Sequence, residues 1–190
     1  IAKASATVEV ERVELHPQLP PVHLLVPIAD RDRMLWLAEK CAELGATSWR
    51  PVLYRRSRSV KPRGEGPTFA GKLRARMASA LEQSGGAWLP AMYPEAALAR
   101  AIGALADGAR LLLDGRGSAI MGQRISAPLT IAIGPEGGLE EEEVQEFERA
   151  GFTRVALAGH TLRFETAAIA GLAIARSAIA TATAEDAHGN

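Results

Sequence analysis

Leu129-Thr130-Ile131-Ala132-Ile133 is a nearly unbroken apolar run that ends abruptly at Gly134-Pro135-Glu136-Gly137-Gly138. A strand that is apolar on both faces belongs inside a sheet covered on both sides, and such sheets are mostly parallel. Parallel neighbours need long crossovers, usually helical. The acidic segment from Glu140 to Ala150 follows the turn at once and reads as one such helix. The turn carries chemistry as well as topology. Glycines let backbone N–H groups approach a ligand closely, and a helix start leaves donors unpaired.

The rest of the chain repeats this pattern. Val22 to Val26 reads as a strand, followed by a helix that Asp30 can cap. Met34, Ala38, Cys41 and Leu44 recur at helical spacing, and Gly45 ends the helix. Trp49 to Leu53 reads as a second strand, Ser57 to Gly66 as a polar loop, and Phe69 to Gln83 as a helix with Leu73, Met77, Ala80 and Leu81 inward. Trp88 to Met92 suggests a short strand and Glu95 to Ile102 a short helix. Leu111 to Asp114 is a buried strand leading into a loop, Gly115 to Ser118. Arg154 to Leu157 is a last strand and Thr166 to Thr181 a last, Ala-rich helix. Strands alternating with helices predict an α/β domain with a mostly parallel sheet.

A second loop opens the last helix: Leu162-Arg163-Phe164-Glu165-Thr166-Ala167. Two loops at the C-terminal ends of neighbouring strands predict a ligand cleft. The ligand is not recognised by a dinucleotide fingerprint, because G-x-G-x-x-G is absent and Gly115-x-Gly117 lacks the third glycine.

The formal net charge is zero, but the charges are segregated. Arg50, Arg55, Arg56, Arg58, Lys61 and Arg63 lie within fourteen positions that hold no acid. Glu136, Glu140, Glu141, Glu142, Glu143, Glu146 and Glu148 lie in a stretch with no base. The basic run is expected to contact phosphates. Cys41 is the only cysteine, which excludes an intrachain disulfide and fits a reducing cytoplasm. His16, His23, His160 and His188 lack metal-ligand spacing, so no metal is expected. The last helix is interrupted by Arg176 and reads as a core helix, so no membrane partner is expected. Residues 1–20 read as an alternating strand, Ala6 to Leu15, and the Pro-rich linker His16 to Pro21 marks the boundary with a domain over 21–190.

Ile133-Gly134-Pro135-Glu136-Gly137-Gly138 together with Leu162-Arg163-x-Glu165-Thr166-Ala167 resembles the signature of the RsmE family. Its members are ribosomal RNA uridine-N3 methyltransferases of the SPOUT, or trefoil-knot, superfamily. Lys40-x-x-Glu43-Leu44-Gly45 and Glu82-Gln83-Ser84-Gly85 agree with it, and the four motifs stand in the family's order over roughly residues 21 to 180. The resemblance implies a SPOUT-type trefoil-knot α/β domain, a homodimer through the knot, and a preceding PUA-like β-barrel, of which residues 1–20 would be a remnant. It also implies S-adenosyl-L-methionine as cofactor, with ribosomal RNA or the small ribosomal subunit as partner.

Residue by residue, the resemblance implies a cofactor site built from Leu113, Ile133, Gly134, Pro135, Glu136, Gly137, Gly138, Leu157, Ala158, Gly159, Leu162 and Thr166. Arg163 is the expected anion stabiliser and Glu165 its companion. Glu165, His160 or water can each serve as base. RNA contacts are expected from Arg50, Arg55, Arg56, Arg58, Lys61, Arg63 and Gln83. Three positions depart from the family pattern. Leu139-Glu140 replaces a Ser-like cap, His160 falls where Gly-Pro-Arg is common, and Gly86 stands in place of an arginine. The last two leave open a catalytically inactive RNA-binding knot protein, or a knot methyltransferase acting on transfer RNA.

Overall fold

The structure, a computed structural model, describes residue 7, residues 9–57 and residues 67–188. Seven strands form one sheet in the order β3-β2-β1-β6-β5-β7, with β4 also paired to β2. They are β1 (Val22–Pro27), β2 (Ser48–Leu53), β3 (Ala91–Met92), β4 (Ala96–Ala97), β5 (Ala109–Ala119), β6 (Leu129–Ile133) and β7 (Thr153–Ala156). Every pairing is parallel, as the apolar runs require. The helices are α1 (Arg31–Glu43), α2 (Pro67–Ser84), α3 (Leu98–Gly103), α4 (Glu141–Arg149) and α5 (Phe164–His188).

Side chains alternate across a strand, so each apolar strand feeds two cores. On one face Leu24, Ile131 and Ile133 join Leu37, Trp49, Met77 and Leu172 beneath α1, α2 and α5. On the other, Leu25, Leu112 and Ala132 meet Phe147 of α4 and Phe152. β6, fully buried, therefore sits in the middle of the molecule and delivers its C-terminal turn to a fixed place.

α5 buries Ala168, Leu172, Ala175 and Ile179 on one stripe at helical spacing. Gly171 faces Leu113, and a Cβ there would lie 2.8 Å from Leu113 Cδ1, so the helix lies directly on the middle of β5. Arg176 donates to the carbonyls of Pro20 and Gly45, tying the start of the domain to α5. Phe164–Thr183 is long and apolar enough to cross a membrane by length and composition, with mean hydropathy 1.3. Here its buried stripe packs on the sheet and α1.

Five expectations need correction. Residues 9–15 form no strand, and Val10, Val13 and Leu15 are exposed. Alternation alone makes no strand where, among the described residues, no neighbour completes the ladder. Gly115 to Ser118 is not a separate loop, because β5 continues through it. Gly117 explains how: a Cβ there would lie 2.4 Å from Arg154 C, so only glycine lets the chain press against β7 and resume pairing at Ser118. The strand predicted from Trp88 shrinks to Ala91–Met92, and the helix predicted from Glu95 is split, because Ala96 and Ala97 first pair with the end of β2. Finally, α5 begins at Phe164 and runs beyond Thr181, so Glu165 stands in its first turn rather than in a loop.

Candidate active site along β5 and the ends of β6 and β7

The middle of β5, where it parts from β6, and the C-terminal ends of β6 and β7 enclose a cleft of about 550 Å³. Its first wall is Leu113, Asp114, Gly115 and Arg116 of β5. The second is the turn after β6, with Gly134, Pro135, Gly138 and Leu139. The third runs from Val155 through Leu157, Ala158, Gly159, His160, Thr161 and Leu162 to Ala167 of α5, and Arg56 closes one side.

The turn is tightly built. Gly138 N–H donates to Pro135 O at 2.8 Å, and Gly138 takes φ 75°, a left-handed conformation that favours glycine. Glu140 then caps α4 through the side chain of Glu143, which accepts from Glu140 N–H at 2.9 Å. Glu143 is buried, and its other oxygen accepts from Arg55 N–H at 2.8 Å. Glu143 thereby secures the helix start at Glu140, the position of the missing Ser-like cap.

Across the cleft, the N–H groups of Gly159, His160, Thr161 and Leu162 donate no hydrogen bond among the described residues. They are a row of donors beside the apolar surfaces of Leu113, Leu139, Val155 and Leu157. Burial pushes the Asp114 carboxyl up, but the N–H and guanidinium of Arg116 and the guanidinium of Arg154 outweigh it and hold the group below its ordinary value.

Eight of the expected cofactor residues line the cleft: Leu113, Gly134, Pro135, Gly138, Leu157, Ala158, Gly159 and Leu162. Four do not. Ile133 is buried in the core on the α5 side, because its strand alternates that way. Glu136 and Gly137 lie on the outer side of the turn and are exposed, and Thr166 points outward from α5. Glu165 is 6% exposed and also lies off the cleft, while Arg163 is exposed just beyond Leu162. His160 lines the cleft. Sequence reasoning missed Asp114, Gly115, Arg116, Leu139, Val155 and Ala167. Asp114 directly follows Leu113 and Arg116 lies three residues beyond it, so extending the site along β5 past Leu113 would have found them.

The basic run is not unopposed. Arg56 makes a two-pronged contact with Glu140, at 2.6 and 3.0 Å, and donates to Gly137 O at 3.2 Å. Arg55 pairs with Glu142 at 3.2 Å. Arg50 stacks over Tyr93, 4.6 Å from the ring centre. The segregated charges of the sequence therefore meet in space, and the acidic helix α4 holds the start of the basic loop. Arg58, Lys61 and Arg63 lie outside the described residues. Gln83 is exposed near the end of α2. No group of three His, Cys, Asp or Glu fit to hold a metal occurs among the described residues.

A family model for the RNA methyltransferase domain matches residues 17–176. The chain belongs to this family. Ribosomal RNA small subunit methyltransferase E of Synechocystis sp. is 27% identical over 172 residues, covering 86% of this chain and 55% of that protein. The chain thus spans about half the length of that relative. The enzyme of the same name from Neisseria gonorrhoeae, solved bound to S-adenosyl methionine, superposes with a TM-score of 0.77 at 29% identity. That match covers 84% of this chain and 67% of the other. A Legionella pneumophila protein described as a methyltransferase and solved with bound SAM gives 0.75 at 25% identity, over 84% of this chain and 66% of that one. The chain therefore carries a domain of the RNA methyltransferase family on an α/β fold with a parallel sheet.

Proposed function

We propose that this chain methylates N3 of a uridine in small-subunit ribosomal RNA, using S-adenosyl-L-methionine. The observation that carries the proposal is the cleft between the Gly134–Gly138 turn and the Leu157–Leu162 segment, within a chain of the RNA methyltransferase family. The lining suits the cofactor. Apolar side chains of Leu113, Leu139, Val155 and Leu157 offer flat contact for a base, and the unpaired N–H groups from Gly159 to Leu162 offer donors to its polar edges. S-Adenosylmethionine, when bound, supplies an activated methyl on a sulfonium.

The chain's own task is to hold the reactants in line and favour the anionic base. Uracil N3 is a nucleophile only after losing its proton. Arg163, exposed directly after Leu162 of the cleft wall, is proposed to stabilise the uridinate oxygens with its fixed fork of donors. His160, which lines the cleft, or water is proposed to take the proton, whereas Glu165 faces Arg33 and is proposed to act from outside the cleft lining. The domain is proposed to carry the trefoil knot of its superfamily and to act in the cytoplasm.

The test is methyl transfer from labelled cofactor to intact small ribosomal subunits. Label at N3 of one uridine is expected. Label only in transfer RNA would move the substrate, and RNA binding without transfer would leave a binding protein.

We also propose a homodimer through α5, because Ile169 and Ile174 are only partly buried and the helix has small neighbours at Ala170 and Ala173. Light scattering at micromolar concentration is expected to give twice the chain mass, and a monomer would overturn this.

RNA affinity should depend on salt. Alanine at Arg55 and Arg56 is expected to change that dependence little, since carboxylates already face both groups. Alanine at Arg58, Lys61 and Arg63 together is expected to lower the slope by roughly 0.7–0.9 for each phosphate left without its cation. Affinity titrations from low to moderate salt separate the two sets. Equal slopes in both variants would remove the basic run from the interface.

A further inference from the structure

We infer that Arg33, on the first turn of α1, is a positioning residue that fixes the two walls of the cleft relative to each other. Its guanidinium contacts Glu136, in the turn after β6. It also lies 3.9 Å, Nε to Oε1, from Glu165 in the first turn of α5. Glu136 belongs to the wall that supplies Gly134, Pro135 and Gly138, while Glu165 lies between Leu162 and Ala167 of the opposite wall. One cation on a third element thus holds one carboxylate from each wall, behind the cleft and outside its lining.

The chemistry favours a working role over an incidental surface pair. Exposed ion pairs contribute little, but Glu165 is nearly fully buried, and its Oε2 has no hydrogen-bond partner. Removing the facing cation would leave a buried carboxylate without its counter-charge, which is strongly destabilising where it stands. The two walls would then relax independently. Arg33 itself is well anchored, because Asp30 accepts from the backbone N–H groups of Asp32 and Arg33 at 3.0 and 3.4 Å and fixes the start of α1. Cofactor affinity should therefore depend on a residue that never touches the cofactor.

This inference rests on the cofactor reading above, and the experiment separates the two. S-Adenosylhomocysteine affinity is measured by calorimetry for the wild type, Arg33→Met, Arg33→Lys, Glu136→Gln and Glu165→Gln, with melting temperatures of the ligand-free proteins. Met77→Ala, a core truncation in α2, is the stability control. Arg33→Met is expected to weaken binding about tenfold, the size typical of coupled residues, with partial recovery in Arg33→Lys. Met77→Ala should melt earlier yet bind as the wild type does. Glu136→Gln and Glu165→Gln should be non-additive together, and additive once Arg33 is methionine. If Arg33→Met does not fold, Glu136→Gln, an exposed change, still reports, and its unchanged affinity overturns the inference. A wild type that binds no S-adenosylhomocysteine overturns the cofactor reading and the inference with it. A wild type that binds, with Arg33→Met equal to it, overturns the inference alone.

Discussion

Arg163→Ala is expected to slow methyl transfer by about 10²–10³-fold, the usual loss when one transition-state donor is removed, while cofactor affinity stays essentially unchanged. The position separates the two effects. Arg163 directly follows Leu162, the last residue of the β7 wall, and its side chain is exposed with no partner among the described residues. Its backbone has a different duty: the Arg163 carbonyl accepts from Ala167 N–H at 2.9 Å, the first hydrogen bond of α5. Alanine keeps that carbonyl, so the helix start and the cleft survive the change. The guanidinium alone is removed. Single-turnover rates with cofactor and RNA saturating read the chemical step directly. A collapse of cofactor affinity with an intact rate would place Arg163 in cofactor binding instead. An intact rate with intact affinity would mean that the uridinate is stabilised elsewhere, and Arg116 of the β5 wall would be the next candidate.

Most of the fold was legible because buried parallel strands write themselves as apolar runs. β1, β2, β6 and β7, and helices α1, α2 and α4, fall within a residue or two of their expected bounds. The failures share one cause. Gly115 to Ser118 looks like a loop because glycine is a breaker in isolation, yet Gly117 is there for its close approach to β7. Ala6 to Leu15 looks like a strand because it alternates, yet alternation says nothing about whether a partner strand is present. The site shows the same limit. Motif residues near the glycine turn and the Leu157–Leu162 segment were readable because backbone chemistry demands glycine and small residues. Which side chains turn inward was not, as Ile133 and Thr166 show. The charge segregation was visible too, but only the fold reveals that Arg55 and Arg56 face α4 rather than solvent alone. Opposite charges far apart in sequence are as consistent with an internal clasp as with an external partner.

Gly137→Val is expected to weaken S-adenosylhomocysteine binding by roughly tenfold to a hundredfold, the equivalent of the ~1–3 kcal/mol that overpacking typically costs. The sequence suggests that glycine at this position leaves room for the ligand. The structure points to another occupant. A Cβ on Gly137 would lie 3.1 Å from Arg56 Cβ and 3.3 Å from the Arg56 carbonyl oxygen, and Gly137 does not line the cleft. A single methyl group is tolerable if the neighbour shifts by a few tenths of an ångström, so Gly137→Ala should have a much smaller effect. The branched valine cannot be accommodated in this way. It would push the Tyr54–Ser57 turn off the glycine turn, breaking the hydrogen bonds of Arg56 to Gly137 O and Glu140. Those bonds brace the turn that presents Gly134, Pro135 and Gly138 to the cleft. Arg56→Ala in the Gly137→Val background supplies the discriminating measurement. If the clash with Arg56 is the mechanism, the second change adds little to the first. If valine instead fills space that the ligand needs, the two effects multiply. Wild-type affinity in Gly137→Val would dismiss the turn as a binding element.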